Sequence, residues 1–182
     1  MNIFTKIVAH IISIPAWLKG VKFGKNSFIG PFYDFLFINL KGLVLGDNVV
    51  IGRNAWIQTM KKGNKFSSIT IGNNTQIGRG VTISSLKKIK IGKNCLFSFN
   101  VSIFDCNHNT NTVQKSPMHS GLSKPKEVIV EDECFIGAHS FILKGVHLKK
   151  HCVVGANSVV TKSFPAYSVI AGNPAKLVKK LK

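Results

Sequence analysis

Aliphatic residues return every six positions along most of this chain, many of them followed by glycine. Leu45-Gly46, Ile51-Gly52 and Ile57 form one run, and Ile71-Gly72, Ile77-Gly78 and Ile83 form the next. Ile91-Gly92, Phe97 and Ile103 follow. The period resumes at Val130 and runs through Ile136-Gly137, Ile142, Leu148, Val154-Gly155 and Val160, with a fainter start at Phe23-Gly24 and Ile29-Gly30. A fixed internal period of this kind predicts a solenoid. Each six-residue unit makes one short strand and a turn, with the aliphatic side chain inward and glycine or asparagine accepting the turn dihedrals. Three units close a coil of about 18 residues, and coils stack as parallel strands at roughly 4.8 Å. No coil buries its own apolar face, but a stack does.

Aligning the coils places Val49, Thr75, Cys95, Cys134 and Cys152 in one column of small inward residues. Three of the four cysteines are thereby read as core rather than metal ligands, because zinc needs donors converging on a point. The period breaks twice. Residues 61–68 form a short basic excursion, and residues 109–127, polar and with two prolines, form a long one directly after His108. The first 20 residues read as a short amphipathic helix that either caps the fold or rests on a membrane surface. Its apolar run is interrupted by His10 and Pro15 and is shorter than the roughly 20 residues of a bilayer span. It lacks a small-x-small cleavage site, which argues against a signal peptide. The chain of 182 residues is read as one domain, with the helical solenoid over 21–165 and a strand and basic helix over 166–182.

Composition adds two constraints. Net charge is +18, from 25 basic residues against seven carboxylates, which favours anionic partners: acidic lipid, acidic glycan or the phosphates of coenzyme A. The lysines are scattered through turns without interleaved aromatics, and no nucleic-acid motif is present, so nucleic acid is not the expected partner. Cys95, Cys106, Cys134 and Cys152 show no disulfide framework, which suits a reducing cytoplasm.

The segment 128–180, VIVEDECFIGAHSFILKGVHLKKHCVVGANSVVTKSFPAYSVIAGNPAKLVKK, resembles the coenzyme A-binding coils of the hexapeptide-repeat acyltransferases, down to the Gly-Asn-Pro-Ala-Lys ending. This superfamily of left-handed β-helices includes galactoside, maltose, serine and xenobiotic acetyltransferases. A looser likeness extends to the branch that acetylates bacterial surface polysaccharides. The resemblance covers about residues 20–180. It implies a left-handed coil, a homotrimer with active sites between subunits, acetyl-CoA as co-substrate, a sugar or glycan hydroxyl as acceptor, and no metal.

Acetyl transfer from a thioester to a hydroxyl needs a base for the hydroxyl proton, and imidazole, with an ordinary pKa near 6.5, suits it. Among six histidines, His108 stands at the last position of its hexad and opens the long excursion. The resemblance makes it the catalytic base. Asp105, Asn107 and His147 are candidates for orienting it or for holding the acceptor, with His147 expected roughly one strand spacing from His108 if the excursion leaves the register intact. Phe135 replaces the tryptophan common in the family and keeps an aromatic wall. Cys106, two residues from the base, raises a covalent alternative, although no basic neighbour is clearly placed to activate its thiol. His119, in the excursion, and His139, in a turn, have weaker claims.

By resemblance, Ala138, Ala156, Thr161, Lys162, Lys176 and Lys179 line the coenzyme groove. Lysine at the last two keeps the charge of the arginines often found there but loses their bidentate fork. Two other functions compete on this fold. A zinc enzyme of the γ-carbonic anhydrase type would use His147 and His151, which a hexad coil points in different directions. A non-catalytic solenoid would bind glycan or membrane through its basic surface.

Overall fold

The computed structural model describes residues 3–31, 33, 39–110 and 113–182. The hexad strands stack into three parallel sheets around one apolar core. The first sheet orders Lys22–Phe23, Leu43–Leu45, Ser68–Ile71, Lys88–Ile91, Val128–Val130 and His147–Leu148. In the second, Phe28–Ile29, Val50–Ile51, Gln76–Ile77, Leu96–Phe97, Phe135–Ile136 and Val153–Val154 lead to Ser168–Gly172 and Ala175–Lys180. Trp56–Thr59, Thr82–Ser85, Ser102–Phe104, Phe141–Ile142 and Val159–Val160 make the third. Each coil therefore turns three corners, which we number by the sheet they follow.

The register is that of the six-residue period. Leu45, Ile71, Ile91, Val130 and Leu148 pair in succession, as do Ile57, Ile83, Ile103, Ile142 and Val160. All ten are at most 2% exposed. Full burial of such a side chain contributes about 1.5–3 kcal/mol, and only the neighbouring coils supply the contact.

The first corner shows how sequence meets the turn. Asn26, Asn48, Asn74 and Asn94 adopt φ of 55–58°, and each of the first three donates its side-chain amide to the next at 3.0–3.2 Å. This ladder offsets a left-handed conformation that costs about 1 kcal/mol or more per non-glycine residue. The small-residue column lies just beyond it, and the donors in it share a task. Thr75 Oγ1 donates to Gly92 O at 2.8 Å, Cys95 Sγ to Glu131 O at 3.2 Å, Cys134 Sγ to Lys149 O at 3.4 Å and Cys152 Sγ to Pro165 O at 3.3 Å. Ser27 and Ser168 extend the column at its two ends. These residues are buried donors to turn carbonyls as well as small core groups.

The N-terminal helix, Ile3–Leu18, caps the first coil through Ala9, Ser13 and Ala16. Ser13 Oγ accepts from Ile29 N–H at 3.0 Å, and Ala16 N–H donates to the Tyr33 hydroxyl at 3.0 Å. Residues 61–68 form a hairpin, Lys61–Lys62 against Lys65–Phe66. The C terminus departs from expectation: the segment read as a basic helix is the antiparallel strand Ala175–Lys180, folded back on Ser168–Gly172. The last coil leaves a row of unpaired backbone groups, and pairing with it outweighs the marginal stability of so short a helix.

The coils approach so closely that a Cβ on Gly78 would lie 2.6 Å from the backbone C and O of Ser98. Gly78→Ala and Ile103→Ala are each expected to lower the unfolding free energy by about 2 kcal/mol or more, the first by overpacking and the second by a cavity. Urea denaturation followed by circular dichroism measures this, and wild-type midpoints would contradict the packing described.

Candidate functional site

The third corner is where the regular coil opens. The strand Ser102–Phe104 ends there, and the chain leaves the stack through Asp105, Cys106, Asn107 and His108. Residues 107–109 pair antiparallel with 121–123: His108 bridges Leu122, Ser123 N–H donates to Asn107 O at 2.8 Å, and Asn109 N–H donates to Gly121 O at 2.8 Å. The excursion contains a single turn of 3-10 helix, Pro117–His119, and rejoins the stack where Lys126 N–H donates to Asp105 O at 2.9 Å. His108 is thus an exposed imidazole held on a two-stranded ledge. Lys144, at the same corner one coil on, donates Nζ to Ser123 Oγ at 2.6 Å and ties the returning strand of the ledge to the solenoid.

Asp105 has a different task from the one anticipated. Its carboxylate is fully buried and accepts from Ser85 Oγ and from the N–H groups of Leu86, Lys87 and Lys88, at 2.7–2.8 Å. With both oxygens committed, it anchors the turn of the preceding coil instead of orienting His108. It also acts on the neighbouring thiol. Burial pushes the Cys106 pKa up to about 11, with the Asp105 charge and hydrogen bond adding to the effect.

His147 is not stacked on His108 either. The excursion inserts enough chain that Ile129 takes the register position beside His147. The His147 ring instead meets a carboxylate, Nε2 to Glu131 Oε1 at 2.6 Å, while Glu131 Oε2 accepts from Lys150 N–H at 2.9 Å. Burial acts against ionisation of Glu131, but the Lys150 amide and His147 outweigh it and hold its pKa below the ordinary value. The pair lines a groove of about 450 Å³ on the outer face of the first sheet, with Lys88, Lys90 and Lys150 around it. His151 turns to another carboxylate, Glu133 Oε2 at 3.3 Å, so His147 and His151 do not converge. His139 occupies a left-handed turn position at φ 59° with its ring edge-on to Phe99, and His119 lies exposed in the excursion.

The residues assigned to a coenzyme groove divide between two corners. Ala138 and Ala156 stack at the second corner, where Asn157 N–H donates to Ala138 O at 2.9 Å, and Lys176, paired with Ala171, lies at the same end of the second sheet. Lys179 lies further along its strand, opposite Val169. Thr161 and Lys162 follow the strand Val159–Val160 at the third corner, the corner of His108. Between the two corners runs the outer face of the third sheet, with Ser102, Phe141 and Val159 in register. Phe135 is on the outer face of the second sheet, between Leu96 and Val153, and is not brought to His108. Sequence reasoning missed Ser123, Lys144 and Glu131. Glu131 precedes His147 by 16 residues, close to one coil, which was the available signal; the Ser123–Lys144 contact depends on the path of an aperiodic loop.

A family model described as the hexapeptide repeat of succinyl-transferase matches residues 42–85 and 127–162. A Dictyostelium discoideum protein named as a candidate acetyltransferase is 36% identical over 93 residues, a match covering 51% of this chain and 47% of that protein. The chain thus spans about half the length of that relative. Among solved structures, AntD, an N-acyltransferase from Bacillus cereus in complex with dTDP and 3-hydroxybutyryl-CoA, superposes with a TM-score of 0.72 at 21% identity, covering 92% of this chain and 87% of its own. A hexapeptide-repeat acetyltransferase from Vibrio cholerae, complexed with acetyl-CoA, gives 0.60 at 22% identity, covering 96% and 78%. With the counted repeat and the stacked coils, these likenesses show that the chain carries hexapeptide repeats over residues 42–85 and 127–162 and has a left-handed β-helical fold similar to that of hexapeptide-repeat acyltransferases.

Proposed function

We propose that the chain is an acetyl-CoA-dependent O-acetyltransferase that acts on a sugar hydroxyl, in the modification of a bacterial surface polysaccharide or its precursor, with His108 as general base. The observation that carries this reading is the exposed imidazole of His108, on a ledge at the corner it shares with Thr161 and Lys162. The coenzyme A complexes of fold neighbours support a thioester donor. In the reaction, His108 takes the acceptor hydroxyl proton as the oxygen attacks the thioester carbonyl. Collapse of the tetrahedral intermediate breaks the C–S bond, and the imidazolium returns the proton to the coenzyme thiolate. Lys162 and Lys176 supply positive charge for the pyrophosphate and the 3′-phosphate, with Lys179 further along, while Ala138 and Ala156 allow close approach of the backbone. The active form is a homotrimer that shares its sites between subunits, as in the family it resembles.

Direct transfer is favoured over an acyl-cysteine route because the Cys106 thiol, with a pKa near 11, is protonated at neutral pH. Cys106→Ala is expected to keep turnover within about threefold of wild type. Alkylation of Cys106 by iodoacetamide should be slow at pH 8 and accelerate only as the pH approaches 11. Fast modification near neutrality, read by mass spectrometry, would contradict this environment.

In a thiol-release assay with acetyl-CoA and a glycan panel, His108→Ala should lower kcat by about 10²- to 10⁴-fold, with little change in KM for acetyl-CoA. Full activity in this variant would exclude the assigned mechanism. Lys162→Ala and Lys176→Ala should instead raise KM for acetyl-CoA by about fivefold to tenfold each and largely spare kcat, the pattern of lost ground-state binding.

A further inference from the structure

The helix Ile3–Leu18 has two apolar faces. One closes the first coil. The other points away from it: Ile7, Ile11, Ile14 and Leu18 recur at helical spacing and are 55%, 59%, 49% and 71% exposed, with Trp17 beside them at 65%. An apolar groove of about 430 Å³ lies between this helix and the first coil, bordered by Ile11, Ile14, Trp17 and Phe23. A helix that only capped a soluble solenoid would turn polar side chains outward. An aliphatic stripe on the outside marks a surface that something covers.

The surrounding charge says what covers it. Residues 1–33 contain Lys6, Lys19, Lys22 and Lys25 and not one carboxylate, within a chain of net charge +18. Lys22 and Lys25 are exposed on the first coil, next to the helix. A second copy of the chain would bring the same lysines against these, so charge opposes self-association through this face. Aliphatic residues with a tryptophan and a lysine fringe are the composition of helices that lie in the plane of a bilayer surface. At 16 residues and about 1.5 Å per residue, the helix is shorter than a hydrocarbon core of about 30 Å. No helix among the described residues is long and apolar enough to cross a membrane.

We propose that this outer face docks the chain on an anionic phospholipid bilayer. Ile7, Ile11, Ile14 and Leu18 enter the boundary between headgroups and acyl chains, Trp17 lies at the interface, and Lys22 and Lys25 meet lipid phosphates. None of these residues takes part in the chemistry proposed above, so the docking stands or falls separately from the acetyltransferase reading.

Flotation of the full chain with vesicles tests it. The wild type should float with phosphatidylcholine vesicles containing about one quarter phosphatidylglycerol and remain largely unbound to phosphatidylcholine alone. About 0.5 M NaCl should release most of it by screening the lysine contribution. The double variant Ile11→Asp/Ile14→Asp should partition at least about tenfold more weakly while unfolding at the wild-type temperature, because both side chains are exposed. The charge variant Lys22→Glu/Lys25→Glu tests the same contact without touching the helix and should also bind more weakly. Trp17 emission should shift to the blue on anionic vesicles, a shift absent in Trp17→Phe. Failure of the wild type to float, equal binding to neutral vesicles, or undiminished binding by both variants would overturn the proposal. So would concentration-dependent self-association, without flotation, that the same substitutions abolish.

Discussion

Each coil of this protein depends on the next for its stability. A six-residue unit with one aliphatic residue turned inward cannot exclude water from it, and three such units form only a thin triangular ring. When rings stack in strict register, as Leu45, Ile71, Ile91, Val130 and Leu148 do, every inward side chain is covered above and below. The same register satisfies the backbone by parallel pairing and lines up the turns, so that asparagines can donate to one another and small residues can reach the carbonyls of the next coil. Glycine at Gly78 follows from the same constraint, since the coil spacing leaves no room for a side chain there.

A stack built this way has two ends and few places to vary. The ends are closed by different means: a helix packs its small residues on the first coil, and an antiparallel strand pairs with the edge of the last. Variation is concentrated at the third corner, where the chain leaves the stack between Thr59 and Ser68 and again between Phe104 and Val128 without disturbing the pairing on either side. A side chain at such a corner gains exposure from the loop and position from the solenoid. His108 has both, because its backbone is held in a short antiparallel ledge, and Asp105 and Lys144 fasten that ledge to neighbouring coils.

The electrostatics follow the architecture. With inward positions reserved for apolar and small residues, the 25 basic residues belong to the turns and outer faces. Five of the seven carboxylates are already occupied with structural partners: Asp47 with the Lys25 N–H, Asp105 with the turn at 85–88, Glu131 with His147 and Lys150, Asp132 with the Lys93 N–H, and Glu133 with His151 and Lys150. The excess positive charge on the outer surface is therefore available to anionic ligands, whether a phosphorylated coenzyme or a lipid headgroup.

The period of six was enough to establish a stacked β-solenoid, the inward column of Thr75, Cys95, Cys134 and Cys152, the two excursions and the place of His108 at the start of the longer one. These properties repeat locally, and a repeated local pattern is visible in one dimension. The partners of the site residues were not visible, because they depend on the path of an aperiodic loop and on contacts between coils. Asp105 adjoins His108 in the chain yet serves the preceding coil, His147 matches His108 by count yet pairs with Ile129 and Glu131, and the residues assigned to the coenzyme occupy two corners instead of one. The C-terminal strand was decided in the same way: local propensity of a lysine-rich segment gave way to an open sheet edge that exists only once the coils are stacked.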